Sequence, residues 1–506
     1  MSASEHATSQ SIATGDGANA PDLRSIHRGA VRGSVLALSD NALRAALGIV
    51  TTLVVAKFVG PAGFGLISIA VSIESLLIVL RNSGFSGALI QRKDLRDVHV
   101  NSVFWIGMIS SSVLVIGLLL AAGPLASFYE KPKLMPILQV LTLSIVAQAF
   151  SGVPEALLRK DLQFGKLLAV NSGSAVFASI AAIIAAFLGA GVWALVLRIV
   201  VSRVLVAVIC WWICPWRPKF QLDMQATRTL LSFGGYLFLA ALMTFGKERL
   251  DAPIIGKLIG LGAAGLFFMA RNLALSIIQQ AIGAIGQVMF AVFSAVQNDQ
   301  AALRSGYLNG TRCLSVLIFP AIAGMIAISP EAVPILLQQE WHGITPIIQI
   351  VSLQGIVLCT NAGISPIVLA AGHSRLLLIL NMFRMCVTVI SVLVGCGWGV
   401  EGVAIAWTVA VFAWAPIEMW FACRLAGMKL ITVYANILRP MLAATVAANV
   451  VHLFVWQCAP AFGSATKPLV VVETIIGAGV YAILTAVLDR DTLKKLRNDL
   501  TRSFAS

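Results

Sequence analysis

The chain of 506 residues is 58% hydrophobic and only 11% charged, with a mean hydropathy of +0.91, which leaves too few polar residues to coat a soluble domain of any size. Its net charge of +14 is spread over short loops between apolar runs rather than gathered on one basic face, so it argues against a nucleic-acid partner and makes the lysines and arginines topology signals. Eight cysteines include no CxxC pair, and Cys210, Cys359, Cys386 and Cys423 fall inside apolar runs, as reduced structural thiols do.

In chain order, residues 1–31 are rich in Ser, Ala, Gly and Asp and read as a disordered cytoplasmic tail without the order of a signal peptide. Apolar runs then predict helices at about 34–57, 62–80, 100–122, 135–157, 167–188 and 191–212. A second set follows at about 230–256, 262–293, 306–328, 345–371, 376–396 and 402–423, and two more at about 433–456 and 468–488. The expectation is an all-α polytopic membrane protein of about fourteen transmembrane helices. An even number of crossings puts both termini on one side. The basic residues Arg92, Lys93, Arg159, Lys160, Lys166, Arg217, Lys219, Arg304, Arg375 and Lys494 then lie in inner loops, against only Lys57, Lys131, Lys133, Lys257 and Lys467 outside. That bias makes the termini cytoplasmic and turns Gly189 to Gly191 outward.

An internal repeat organises these helices. AKFVGPAGFGLISIA (residues 56–70) recurs two hundred positions later as GKLIGLGAAGLFFMA (256–270), and GAGVWAL (189–195) is echoed by VEGVAIA (400–406). Six helices per copy return the chain to its starting side, so the repeats are parallel about an axis along the membrane normal. The predicted division is residues 32–215 as an N-lobe, 216–229 as a cytoplasmic inter-lobe loop, 230–425 as a C-lobe, 426–488 as two appended helices and 489–506 as a cytoplasmic tail.

The second copy carries Lys247, Glu248, Arg249 and Asp251 within an apolar run. A charge near the bilayer centre costs roughly 3 kcal/mol on insertion scales, so four in five positions need partners, water or a loop. The loop reading would end the helix at Gly246, after only about 25 Å. The repeat instead places the turn at GLGAAG, as at GPAGFG in the first copy, and keeps the charges inside the helix. Asp40 and Arg44 are four apart in the first helix and share a face, as do Lys247 and Asp251 in the seventh. The repeat aligns Arg44, Gly48 and Thr51 with Thr244, Glu248 and Asp251.

Arg198, Arg271 and Arg384 add cations at depth. A snorkelling side chain is the plain alternative for Arg198, and a self-neutralising packing pair for Asp40 with Arg44. A cleft with surplus Arg and Lys suits an anion, because a guanidinium grips phosphate oxygens bidentately. Arg44, Lys247, Arg249, Arg271 and Arg384 are therefore the candidate substrate-binding residues, with Asp40, Glu248 and Asp251 as coupling or orienting groups. Arg249 lies about 100° around the helix from Glu248, and its alternatives are lipid headgroups or a neighbouring helix. Glu74, Glu155 and Glu418 are candidates for coupling protons, each with ion pairing or an interface position as the alternative. There is no Ser/His/Asp arrangement, Walker loop or metal-ligand spacing, so neither metal nor cofactor is expected.

LLRKDLQFGKLLAVNSGS (157–174), followed by LGAGVWALVLRIVVSR (188–203), closely resembles Wzx-type polysaccharide transporters of the multidrug/oligosaccharidyl-lipid/polysaccharide (MOP) superfamily. GFSGALIQRKD (84–94), LDAPIIGKLIGLGAAGLF (250–267) and LAAGHSR (369–375) match the same pattern, over about residues 30–425. Phe267 or Phe268, and Ala291, stand where the family often has Tyr and Pro. The resemblance makes Asp251 the acidic residue of the seventh helix. It implies a flippase rather than an enzyme, moving an undecaprenyl-pyrophosphate-linked sugar repeat unit across the bacterial inner membrane by alternating access. The implied polymer is an exopolysaccharide, capsule or O-antigen, with a proton or sodium as coupling ion and with polymerase and chain-length proteins as partners. Two other classes stay open. A drug or cation antiporter of the same superfamily would want surplus carboxylate, and a membrane glycosyltransferase or polymerase would want a larger outer loop than residues 329–345.

Overall fold

Backbone N–H and C=O groups inside a bilayer have no water to bond, so a chain of this composition satisfies them within helices. The computed structural model describes residues 40–41, 43–81, 97–161, 163–221, 238–239, 241–295, 299–462 and 466–488. With a broken helix counted once, these residues form fourteen helical stretches. The first six are α1 (Leu43–Ala56), α2 (Pro61–Arg81), α3 (Asp97–Phe128), α4 (Leu134–Lys160), α5 (Phe164–Phe187) and α6 (Trp193–Ile213). The next six are α7 (241–249, then Asp251–Leu258), α8 (Leu261–Ala295), α9 (Gln300–Leu336), α10 (Ile344–Ser352, Gln354–Asn361 and Ile364–Ala370), α11 (Ser374–Gly395) and α12 (Gly399–Leu425). The last two are α13 (Leu430–Phe462) and α14 (Thr466–Leu488). Among the described residues, nine helical runs are long and apolar enough to cross a membrane, with α11 and α12 counted together and shorter apolar windows in α1, α8 and α14. The expected terminal tails, the GFSGALIQRKD motif and most of the inter-lobe loop lie outside the described residues.

Proline accounts for much of the packing. A proline inside a helix removes the bond to the carbonyl four residues earlier, and in lipid that carbonyl needs another donor. Pro154 frees Phe150 O, which accepts from the Trp211 indole at 3.0 Å, tying α4 to α6. Pro320 frees Val316 O, which accepts from the Tyr481 hydroxyl at 2.8 Å and fastens α14 to α9. Pro330 frees Ile326 O, which accepts from the Gln349 amide at 3.0 Å. Pro330 is thereby accommodated in α9, which also contains Pro334 and runs on to Leu336 where the apolar pattern had ended it at 328. The loop expected at 329–345 shrinks accordingly.

The repeat is visible as a reciprocal contact. A Cβ on Gly65 would lie 1.9 Å from the Leu261 carbonyl oxygen, and one on Gly265 would lie 1.8 Å from that of Pro61. Residues 61 and 261 are equivalent, as are 65 and 265, so α2 and α8 cross at a pseudo-two-fold point where only glycine fits. Farther along, the equivalent residues Ser72 and Asn272 line one cavity, so the two helices run in the same direction. The turns fall where the repeat put them, at Gly60 and at Gly260, whose φ is 129°. The GAGVWAL turn uses both glycines at positive φ, Gly189 at 80° and Gly191 at 56°.

The same ends of the helices carry the other contacts between lobes. Trp341, fully buried, donates its indole N–H to Ala56 O at 3.1 Å, satisfying a carbonyl orphaned at the end of α1, and its ring meets Phe64 edge-on at 5.1 Å. Lys257 reaches Phe128 O at 2.6 Å and the Glu130 carboxylate at 3.1 Å. Large apolar side chains such as Leu120, Trp212 and Ile431 are exposed on the perimeter, as a lipid-facing surface requires.

Candidate functional site

α7 breaks at Leu250, and the sequence explains why. Pro253 has no N–H for the Arg249 carbonyl, and its ring crowds that turn. One residue earlier, the Ala252 N–H turns from the Glu248 carbonyl to the Asp251 side chain at 2.9 Å. The Glu248 carbonyl accepts instead from Arg271 of α8 at 2.6 Å. The same Arg271 nitrogen is 2.5 Å from the Asp251 carboxylate, and the guanidinium lies 5.0 Å from the Trp407 ring of α12. Asp251 and Arg271 therefore repair the break and pair with each other. Lys247 and Asp251 share no bond across it, although four residues separate them.

A cavity of about 280 Å³ opens beside this junction, lined by Glu248, Arg249, Asp251 and Arg271 with Ser72 of α2 and Asn272, Ser276 and Gln279 of α8. Arg249 is exposed there, with no carboxylate in ion-pair contact among the described residues, and Glu74 of α2 lies within electrostatic reach. Lys247 is 4.0 Å from Glu248. It sits within reach of a second pair, Arg384 with Glu418 at 3.0 Å. Glu418 is held by three donors, since Asn361 and Trp414 also donate to it, at 2.9 and 2.8 Å.

The structure thus brings Arg249, Arg271, Glu248 and Asp251 to one cavity, with Lys247 and Arg384 beside them. Arg44 stands apart in the N-lobe. It pairs with Asp40 at 2.9 Å and donates to Asn41 at 2.6 Å, while Ser172 of α5 donates to Asp40. Arg198 turns inward, donating to Thr52 at 3.2 Å and lying against Gly48. Of the proton candidates, Glu74 accepts from Ser144 of α4 and Glu155 is 3.9 Å from Arg159.

Sequence reasoning missed Ser72 and Asn272, although the repeat pairs them two positions beyond the aligned block. It also missed Trp407 and the polar strip Asn272, Ser276 and Gln279. Their spacing of four and then three residues puts them on one face of α8, a signal hidden by their mild polarity.

Two sets of helices meeting at one end, with ionisable side chains between them at depth, define a multi-pass helical membrane protein, and its fold is that of solved transporters of the MOP superfamily. A solved structure of lipid II flippase MurJ in an inward closed conformation superposes with a TM-score of 0.72 at 15% identity, covering 92% of this chain and 100% of that one. An inward-facing multidrug resistance MATE family transporter of the MOP superfamily gives 0.63 at 16% identity, covering 78% and 98%. The profile of the family described as polysaccharide biosynthesis protein matches residues 54–346, more than half the chain, and the chain belongs to that family. Among its relatives, the succinoglycan biosynthesis transport protein ExoT of Rhizobium meliloti is 24% identical over 450 residues, 88% of this chain and 90% of the relative. The lipopolysaccharide biosynthesis protein WzxC of Escherichia coli is 20% identical over 351 residues, 69% and 71% of the two chains.

Proposed function

We propose that the chain is a flippase that carries an undecaprenyl-pyrophosphate-linked oligosaccharide repeat unit from the inner to the outer leaflet of a bacterial inner membrane for polysaccharide assembly. The observation that carries this reading is Arg249, an exposed guanidinium with no ion-pair partner among the described residues, in the cavity between the lobes and next to Arg271 and Lys247. Such a group can grip a pyrophosphate bidentately without first breaking an internal pair. Ser72, Asn272, Ser276 and Gln279 offer hydroxyls and amides to the sugars, and the lipid tail stays in the bilayer. The family and the relatives named for polysaccharide transport support the substrate class.

In this reading Arg249, Arg271 and Lys247 contact the headgroup, Glu248 and Asp251 orient them, and Arg384 with Glu418 sets the charge behind Lys247. Arg44 with Asp40 serves the N-lobe wall. Both termini are cytoplasmic, the crossings number fourteen, and the lobes are latched on the outer side by Trp341 and the Gly65–Gly265 crossing, so the cavity communicates with the cytoplasm. Transport is by rocking of the lobes and involves no bond chemistry on the substrate. Polymerase and chain-length proteins are the expected downstream partners.

The test is a leaflet assay in a deletion strain. Lipid-linked repeat unit should accumulate on the cytoplasmic leaflet and move outward when the chain is restored. Accumulation on the outer leaflet would point to a polymerase, and no accumulation together with drug sensitivity would point to an antiporter.

A further inference from the structure

The carboxylates within the helices are nearly all accounted for. Asp40, Asp251 and Glu418 each face an arginine, Glu74 accepts from Ser144, and Glu155 and Glu248 have cations within 4.0 Å. Glu473, near the start of α14, differs. It is 0% exposed, and neither of its carboxylate oxygens has a hydrogen-bond partner among the described residues.

Glu473 lines a cavity of about 150 Å³ where α14 meets α9 and α13, among small residues that include Ala323, Gly324, Ala447 and Gly477. From α9 Glu331 acts on it, and Glu331 also has one unpartnered oxygen. His452 of α13 lies within electrostatic reach of Glu331, and Tyr481 of α14 directs its hydroxyl to Val316 O. Among the described residues, no lysine or arginine lines the cavity.

An ionised carboxylate without hydrogen bonds is strongly disfavoured in such a place, and a second carboxylate on the adjoining helix raises the cost. A neutral carboxyl fits; the cavity has room for water, but the fully buried carboxyl oxygens do not touch it while the helices are packed, so the proton is exchanged when they part. We propose that Glu473 is a proton-binding site at the α9–α13–α14 joint, occupied while the three helices are packed together and vacated when α13 and α14 part from α9. The proton leaves as hydronium through the cavity, and the carboxylate it leaves behind is hydrated only in the parted state. The site lies away from the cavity beside α7, and its occupancy requires no oligosaccharide. The sign is fixed by linkage: the packed joint is favoured at low pH and loses that support as pH rises through the titration of Glu473.

The experiment is infrared difference spectroscopy of the full chain in lipid nanodiscs, titrated across about pH 5 to pH 9. Wild type should give a protonated-carboxyl C=O band that disappears as pH rises, and Glu473→Gln should lack it. Glu331→Gln should move the disappearance to lower pH by removing the neighbouring negative charge. A band that persists in Glu473→Gln, or a midpoint unmoved by Glu331→Gln, overturns the assignment, and the second variant decides alone if the first does not accumulate. Thiol labelling of Ala448→Cys, in the cavity wall, reads the joint itself. Labelling should accelerate with rising pH in the Ala448→Cys chain and stay slow when Glu473→Gln is added; identical pH profiles in the two would contradict the coupling.

Discussion

α1 and α7 occupy equivalent places in the repeat, yet one runs unbroken from Leu43 to Ala56 and the other gives way at Leu250. Leu53 stands in the first where Pro253 stands in the second, and Thr51 where Asp251 stands. In α1 the Thr51 hydroxyl bonds back to Leu47 O at 2.7 Å, and among the described residues the helix takes an outside donor to its backbone only at its end, from Trp341 to Ala56 O. In α7 the proline leaves the Arg249 carbonyl without its helix donor, and beside it Arg271 of α8, paired with Asp251, takes up the Glu248 carbonyl. One proline thus converts a wall helix into one whose charged residues are presented to a cavity. The N-lobe pairs Asp40 with Arg44 one turn away on the same helix, while the C-lobe leaves Arg249 exposed.

The sharpest way to break this contrast is Arg271→Ala. It strips Asp251 and the Glu248 carbonyl of their common donor, and removing one partner of a buried pair costs about 3 to 5 kcal/mol. A thermal melt of purified protein should fall by many degrees and polymer export should vanish. Arg271→Lys should recover part of each, because an ammonium cannot reproduce the fork that spans both acceptors.

Gly265→Ala comes next, since its Cβ would lie 1.8 Å from the Pro61 carbonyl oxygen. The lobes should fail to close at that end. Thiol labelling of a cysteine introduced at Phe64 should then become fast, and export should drop at unchanged membrane level. Slow labelling would mean that the crossing does not hold the lobes together.

Pro253→Leu makes α7 resemble α1. It restores a helix hydrogen bond and should stabilise the protein by about 1 to 3 kcal/mol, yet lower export, because the Glu248 carbonyl is drawn back from Arg271. A variant both more stable and fully active would show that the break is incidental. The smallest effect is expected from Trp407→Phe, which weakens a cation–π contact by about 0.5 to 1 kcal/mol, two- to fivefold in substrate affinity.

The helical class, the order of the helices and the repeat were legible because hydropathy and a gapless alignment at a spacing of two hundred report directly on burial and symmetry. The placement of the charges within α7 followed from that alignment. Partner choice did not. Asp251 looks equally able to pair with Lys247 in the same helix or with an arginine elsewhere, and only the break at Pro253 sends it to Arg271. Arg249 looked the most ambiguous cation by helical angle, and its exposure in the cavity depends on how α2 and α8 cross. The donors to the proline-opened carbonyls of Phe150, Val316 and Ile326 were not legible, because Trp211, Tyr481 and Gln349 come from helices distant in sequence or separated by a turn.

The central claim, that the C-lobe cavity holds a pyrophosphate headgroup through a guanidinium free of internal partners, is tested most directly by equilibrium binding to Arg249→Ala. Arg249 repairs no break and holds no ion pair among the described residues, so the variant should fold and melt as wild type does. Undecaprenyl-pyrophosphate-linked oligosaccharide, purified from a deletion strain, should bind nanodisc-embedded wild type in competition with inorganic pyrophosphate, and Arg249→Ala about ten- to hundredfold more weakly. Equal affinity of the two proteins, with no competition by pyrophosphate, would contradict it.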